Sequence, residues 1–180
     1  MIVVADGRAA GGKLRLVNCD DDVTLRPTTP EDFDILRGLF DDASFAGWGG
    51  TGRAPDEMIR EKYLGGRLPE VECFLVLAGP EPVGLAQVHS SGKQAGGMDL
   101  ILLPRARGRG IGRAAVKNLV QRARSVHGWT WITVDPDVEN REGIAFWAAI
   151  GFEPVRVVED EPGREPYLLM ELRDTGGGNA

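Results

Sequence analysis

The stretch MDLILLPRARGRGIGRAAVKNLVQRAR, residues 98–124, contains three consecutive patterns that decide the fold. Its apolar start predicts a β-strand, and a glycine-rich turn at 107–112 follows. Apolar residues then recur every three or four positions, which predicts a helix with one face on a sheet: Ile111, Ala115, Leu119, Val120, Ala123 and Val126. A strand, a turn and an amphipathic helix in this order are typical of α/β proteins.

The same stretch concentrates positive charge. Residues 105–124 carry seven basic side chains and no acidic one. The rest of the chain holds the other 14 of the 21 basic residues and all 27 acidic residues, so it is strongly acidic. The predicted helix starts at Gly110–Gly112, where backbone N–H groups lack partners and the helix dipole is positive. Glycine lets a phosphate approach the backbone, and Arg107, Arg109 and Arg113 could donate further hydrogen bonds. The pattern favours a phosphate site over a solvated basic helix face.

Two common phosphate motifs fit this turn poorly. It lacks the Gly-Lys-Ser/Thr that ends a Walker A loop. The sequence GIGRAA at 110–115 does satisfy the dinucleotide fingerprint G-x-G-x-x-A, and Asp135 ends the next predicted strand. However, the insertion PRARGR makes the turn too long for that motif, and no second βαβ half follows.

The composition of the chain limits its class. With 180 residues, 42% hydrophobic and 27% charged, it is expected to form a soluble globular domain. No apolar run approaches the roughly 20 residues that span a bilayer. The two cysteines, Cys19 and Cys73, have neither metal-site nor disulfide-framework spacing, so we expect no metal and a cytoplasmic location. A net charge of −6 and a basic helix without interleaved aromatic residues argue against nucleic acid as a partner.

The remaining patterns predict a mixed central β-sheet flanked by helices in one domain at 23–173. Strands are expected at 23–27, 72–78, 82–90, 130–135, 153–160 and 166–172, and helices at 28–40, 56–66 and 139–152. Residues 1–22 read as an extra N-terminal β-hairpin, which could serve a homodimer, and residues 174–180 as a disordered tail.

The segment RGRGIG at 107–112 matches the pattern Arg/Gln-x-x-Gly-x-Gly and resembles the pyrophosphate loop of the GCN5-related N-acetyltransferases, the GNAT superfamily. The order of the flanking elements, with Asn140 on a later helix and Gly-Phe at 151–152, is similar to that superfamily. This resemblance implies the GNAT fold and acetyl-CoA as cofactor. It also implies that the strand before the loop supplies a backbone N–H for the oxyanion. The implied cofactor contacts lie on this strand, in the loop and on the later helix: Leu100, Ile101, Leu102, Arg107, Gly108, Arg109, Gly110, Ile111, Gly112, Arg113, Asn140 and Trp147.

A narrower resemblance, over about residues 23–172, is to the aminoglycoside N-acetyltransferases, above all the 6'-type. It rests on the segments VTLRPTTPEDFDIL, GWGG, REKYL, EPVGLAQ, VDPDVENREGIAFWAAIGF and PYLLMEL, although siderophore-type acyltransferases look similar around Asp135-Pro136. It implies a cationic aminoglycoside acceptor. The residues implied to bind or activate this acceptor are Asp99 and Asp135 as the catalytic carboxylates, with Trp48, Tyr63, Asp160 and Glu161.

Strand alternation predicts that Asp99 shares a sheet face with Ile101 and Leu103, opposite Met98, Leu100 and Leu102. His89 and His127 match no catalytic position, so we expect structural roles for both.

Trp147 departs from the family pattern, in which a tyrosine usually stands seven residues after the asparagine and is proposed as general acid to the thiolate. Tryptophan has no titratable proton, so the thiolate leaves without that acid or another group supplies the proton. Trp147 could instead close the cofactor channel. The departure leaves open a 6'-amine or the 2'-amine of a kasugamycin-like compound. Alternative functions are a protein or peptide N-acetyltransferase and a non-catalytic acyl-CoA-binding protein.

Overall fold

The computed structural model describes residues 22–45 and 53–173. The predicted N-terminal hairpin up to residue 21, Trp48 and the predicted tail lie outside these residues. The described residues form seven strands and four α-helices: β1 Val23–Pro27, α1 Phe33–Phe40, α2 Asp56–Tyr63, β2 Val71–Ala78, β3 Glu81–Gly92, β4 Ala95–Leu102, α3 Ile111–Ser125, β5 Trp131–Val134, α4 Arg141–Ala149, β6 Glu153–Val158 and β7 Tyr167–Arg173.

The strands make one mixed sheet in the order β1-β2-β3-β4-β5-β7-β6. β4 and β5 are parallel, and the other neighbouring strands are antiparallel. The parallel pair is connected through α3, as expected of a strand–helix–strand unit. The predicted α/β fold class, with a mixed central sheet flanked by helices, is therefore confirmed.

Hydrophobic residues pack on both faces of the sheet. One core joins α3 and α4 to the face that carries Met98 and Leu102, with Leu100 packed against it. The other joins α1 and α2 to the opposite face, where Leu103 is buried and Ile101 packs alongside. The predicted alternation of β4 is thus correct, because each strand residue projects to the face opposite its neighbours.

β4 and β5 separate after three residue pairs. The pairs run from Ala95↔Trp131 to Gly97↔Thr133, whereas β4 continues to Leu102 and β5 to Val134. The carboxyl-terminal half of β4 therefore has an edge without a β5 partner, and the sheet opens there.

Two local predictions are corrected. Val126 is 59% exposed rather than packed on the sheet, because α3 ends at Ser125 and the chain turns away. Thr29 forms a capping box with Asp32 as its spacing suggests, but the capped turn is a 3₁₀ helix at Pro30–Asp32, and α1 begins only at Phe33. Arg26 donates two hydrogen bonds to the buried Asp32, at 2.6 and 3.0 Å.

Candidate active site

A cavity of about 1210 Å³ passes through the opening between β4 and β5. Its wall includes Leu100 and Leu102 from one face of β4, and Asp99 and Ile101 from the other. A single space is therefore accessible from both sides of the sheet, so two molecules could meet beside the middle of β4.

The glycine turn borders one end of this cavity. Gly108 and Gly110 adopt φ angles of +69° and +83°, a left-handed conformation that residues with a Cβ rarely take. Gly110 is the N-cap of α3, and the first intrahelical bond of the helix runs from Ala114 N–H to its carbonyl. Helix geometry then leaves the N–H groups of Ile111, Gly112 and Arg113 without intrahelical partners. These amides, with the positive end of the helix dipole, are suited to bind an anion.

Two arginines add positive charge at the same end. Arg107 and Arg113 line the cavity, and each donates to a backbone carbonyl that fixes its position, of Leu102 at 3.0 Å and of Ala149 at 3.2 Å. Arg109 is exposed and donates to the carbonyl of Arg105 at 3.4 Å, outside the cavity wall. The side chain of Ile111 is buried in the core, so this residue offers only its backbone amide to a ligand.

Helix α4 forms the adjoining wall. Asn140 is its N-cap, and the Asn140 side chain accepts a hydrogen bond from Gly143 N–H at 2.9 Å. Trp147 is 7% exposed and packs edge-to-face on Phe146 and Phe152, with both centroid distances 5.1 Å. Trp147 also lines the cavity, so it is part of both the hydrophobic core and the cavity wall.

Asp99 lies at the other end of the cavity. Gln87 donates to Asp99 Oδ2 at 2.6 Å, and His89 Nδ1 lies 3.8 Å from the same oxygen. Burial raises the pKa of Asp99 above its ordinary value; the Gln87 hydrogen bond opposes this, and the nearby Asp135 charge adds to it. A carboxylate with a raised pKa inside a cavity is suited to accept a proton.

Asp135 follows β5 and lines the same end, where it is paired with Arg164 of the β6–β7 turn. Glu161 of that turn accepts a hydrogen bond from the Tyr167 hydroxyl at 2.6 Å. This end therefore carries several carboxylates and one arginine, in contrast to the basic end at the glycine turn.

Most of the predicted site residues line this cavity: Asp99, Leu100, Ile101, Leu102, Arg107, Gly108, Gly110, Gly112, Arg113, Asp135, Asn140 and Trp147. Tyr63 is instead buried in the core of α1 and α2, with its ring 5.0 Å from that of Phe40, and burial raises its pKa to about 12. Asp160 is exposed outside the wall, and Glu161 borders it only through its contacts with Arg164 and Tyr167.

Three neighbours of the predicted carboxylates were not expected from the sequence: Gln87 and His89 beside Asp99, and Arg164 beside Asp135. Gln87 and His89 sit two apart on β3, on the sheet face that carries Asp99, because the register pairs Gln87 with Asp99 and His89 with Gly97. His89, for which a structural role is predicted, lies 3.8 Å from Asp99 Oδ2 as a result of this pairing. Alternation of polar residues along β3 was the available signal.

Residues 22–45 and 53–173 hold no group of three or more His, Cys, Asp or Glu side chains able to bind a metal ion. None of their helices is both long and apolar enough for a membrane span.

Comparison with known proteins gives consistent matches. The model of the Acetyltransferase (GNAT) family matches residues 35–152, more than half of the chain. Aminoglycoside N(6')-acetyltransferase type 1 from Klebsiella pneumoniae is 26% identical over 172 residues, covering 86% of each chain, and the Serratia marcescens enzyme of that name matches equally.

The structure of AAC(6')-Ib in complex with ribostamycin and coenzyme A superposes with a TM-score of 0.75 at 25% identity, covering 89% of this chain and 100% of that one. A dodecameric spermidine N-acetyltransferase from Vibrio cholerae shares the fold at 16% identity, with a TM-score of 0.67 over 85% of this chain and 94% of that one.

Proposed function

The chain belongs to the GNAT acetyltransferase family, and on that premise we propose that it transfers the acetyl group of acetyl-CoA to the 6'-amine of an aminoglycoside antibiotic. Such a reaction would confer resistance to that antibiotic. The observation that carries the proposal is the single cavity with a glycine turn suited to an anion at one end and partly buried Asp99 at the other.

The described residues fit the coenzyme. The left-handed Gly110 and the first-turn amides of α3, which lack intrahelical partners, form a backbone cradle for a diphosphate. A Cβ on Gly112 would stand 3.1 Å from the Phe146 ring, so a side chain there would press on helix α4. Arg107 and Arg113 supply charge-assisted hydrogen bonds. The open edge of β4 provides backbone groups for the extended part of the coenzyme. When bound, acetyl-CoA supplies an acetyl group activated as a thioester.

The protein's own part in the reaction starts at Asp99. An amine attacks only as the neutral base, so its ammonium form must lose a proton. The Asp99 carboxylate, with its raised pKa, takes this proton at Oδ1 or Oδ2 directly or through one water. His89, 3.8 Å from Asp99 and partly exposed, offers a route to solvent. The Leu103 N–H donates to the Val83 carbonyl at 2.9 Å, so the oxyanion donor is a backbone N–H group within 100–102.

The acceptor assignment is supported by charge. Asp99, Asp135 and Asp137 line the acceptor end and would attract a polycationic substrate. The two curated relatives act on the 6'-amine by name. Nothing in the cavity favours the 2'-amine of a kasugamycin-like compound.

A thiol-release assay with acetyl-CoA tests the proposal, using kanamycin, ribostamycin, kasugamycin and a lysine-containing peptide as acceptors. We expect turnover with kanamycin and ribostamycin, and mass spectrometry should place the acetyl group on the 6'-nitrogen. Turnover with the peptide alone would instead indicate a peptide N-acetyltransferase. Binding of coenzyme A without any thiol release would indicate a non-catalytic acyl-CoA-binding protein.

A further inference from the structure

The acceptor end of the cavity holds a cation that belongs to the protein itself. Arg164, in the turn between β6 and β7, donates from Nη2 to Asp135 Oδ2 at 2.8 Å, and its Nη1 lies 3.7 Å from Glu161 Oε1. Its guanidinium carbon stands 4.2 Å from the centroid of the Tyr167 ring. The Tyr167 hydroxyl in turn donates to Glu161.

The groups that contact Arg164, two carboxylates and an aromatic ring, are also the kinds of group that bind an ammonium ion. Carboxylates and an aromatic face together recognise an organic cation, whether it is a guanidinium or an amine. The guanidinium of Arg164 therefore fills a cation subsite that an amine of a bound acceptor could otherwise use. Arg164 itself lines the cavity, so an acceptor that enters meets it directly.

The pair between Arg164 and Asp135 can be exchanged. Their side chains are 40% and 27% exposed, and an ion pair at the edge of solvent contributes only about 0–1 kcal/mol. The Arg164 backbone N–H donates to the Glu161 carbonyl at 3.2 Å, which holds the turn in place. The guanidinium can thus leave Asp135 by rotation of its own side chain while the turn stays fixed.

We propose that Arg164 is a specificity-determining residue that occupies an ammonium subsite at Asp135 in the free enzyme and is displaced by a second amine of a polycationic acceptor. This inference deepens the proposed function and rests on it. The amine that reacts lies at Asp99, and a further amine of the same acceptor replaces Arg164 at Asp135. Arg164 consequently weakens the binding of polyamines and offsets part of the negative charge of the pocket when it is empty.

The test compares Arg164→Gln with Arg156→Gln, a matched loss of one positive charge at an exposed position of β6 outside the cavity. Isothermal titration calorimetry with kanamycin and coenzyme A, and steady-state kinetics with acetyl-CoA, are run on the wild type and both variants. We expect the kanamycin Kd and KM to fall by up to about fivefold in Arg164→Gln only, because a competing ion pair of at most about 1 kcal/mol is lost. The KM for acetyl-CoA should not change in either variant.

Salt dependence provides a second readout. In Arg164→Gln the carboxylates of Asp135 and Glu161 lack their internal counter-ion, so the kanamycin KM should rise more steeply between 50 and 300 mM salt than in the wild type. An unchanged or higher kanamycin KM in Arg164→Gln, with the acetyl-CoA KM intact, overturns the inference. A wild type that neither binds nor acetylates kanamycin refutes the proposed function instead. In that case spermidine titrations of the same three proteins still decide the role of Arg164, by the same criterion.

Discussion

The side-chain amide of Gln87 donates a hydrogen bond to Asp99 Oδ2 at 2.6 Å across a register pair of β3 and β4. This bond favours the ionised carboxylate, while burial favours the protonated acid and dominates the pKa. Asp99 is therefore held in one orientation without being made a weak base. A group that must take a proton from an amine needs both properties.

Replacing Asp99 by asparagine should separate binding of the coenzyme from transfer. The amide keeps the size of the side chain and can still accept from Gln87, but it takes no proton. We expect kcat/KM for the acceptor to fall more than tenfold, which corresponds to more than about 1.4 kcal/mol, with the coenzyme A affinity unchanged. Asp34→Asn, an exposed change of equal charge on α1, is the control. Wild-type kinetics in Asp99→Asn would remove this residue from the reaction.

The same substitution should stabilise the fold near neutral pH. Because burial raises the pKa of Asp99, the folded protein keeps its proton to a higher pH than the unfolded chain does. Wild-type stability thus falls as pH rises from the unfolded pKa of about 3.9 through the raised folded pKa. Asp99→Asn avoids this loss, so its Tm should exceed the wild-type Tm at pH 8, and the difference should shrink towards pH 4, near the unfolded pKa of about 3.9. Calorimetric scans at both pH values measure this; a lower Tm for the variant at pH 8 contradicts it.

The patterns that predicted the fold were local ones. The glycine turn, the start of α3 at Gly110 and the alternation of β4 follow from residues close together in sequence, and each is found as predicted. A strand alternates with a period of two and a helix start needs free amides, whatever the rest of the chain does. Asp99 could therefore be placed on its face before its surroundings were known.

The partners of these residues could not be read in the same way. Gln87 reaches Asp99 only through the register of β3 on β4, and Arg164 reaches Asp135 across 29 positions of sequence through the pairing of β5 with β7. The register of two paired strands depends on turn geometry and on the burial of a whole strand face, so the identities of two residues do not specify it. The same reasoning explains Tyr63, whose helix packs it into a core against Phe40 rather than into the cavity wall.

The junction between β1 and α1 should depend on Asp32. This residue is 4% exposed, accepts two hydrogen bonds from Arg26 and one from Thr29 N–H, and the Arg26 hydrogen bond is the main reason that its pKa is lowered. Asp32→Ala removes both the cap and the ion pair, so we expect a loss of about 1–3 kcal/mol at pH 7.

Acidification offers a check on the cause of that loss. A carboxyl whose folded pKa is lowered stabilises the fold above its unfolded pKa, and this contribution disappears as pH falls through the folded value. The stability difference between wild type and Asp32→Ala, measured by urea unfolding, should therefore narrow from pH 7 to pH 3.5. A difference that stays constant would assign the loss to packing alone.

Binding of the coenzyme should depend on Gly110 through its backbone. An alanine at φ +83° costs about 1–2 kcal/mol in the left-handed region, and the chain relieves this strain by moving the amides that follow it. We expect Gly110→Ala to weaken coenzyme A binding about tenfold, or about 1.4 kcal/mol, by isothermal titration calorimetry. Gly79→Ala is a matched control, since Gly79 has φ +59° in the β2–β3 turn and, like Gly110, has open space where a Cβ would stand. Both variants should lose similar stability, so equal coenzyme affinities in the two would show that the amides at the start of α3 do not hold the diphosphate.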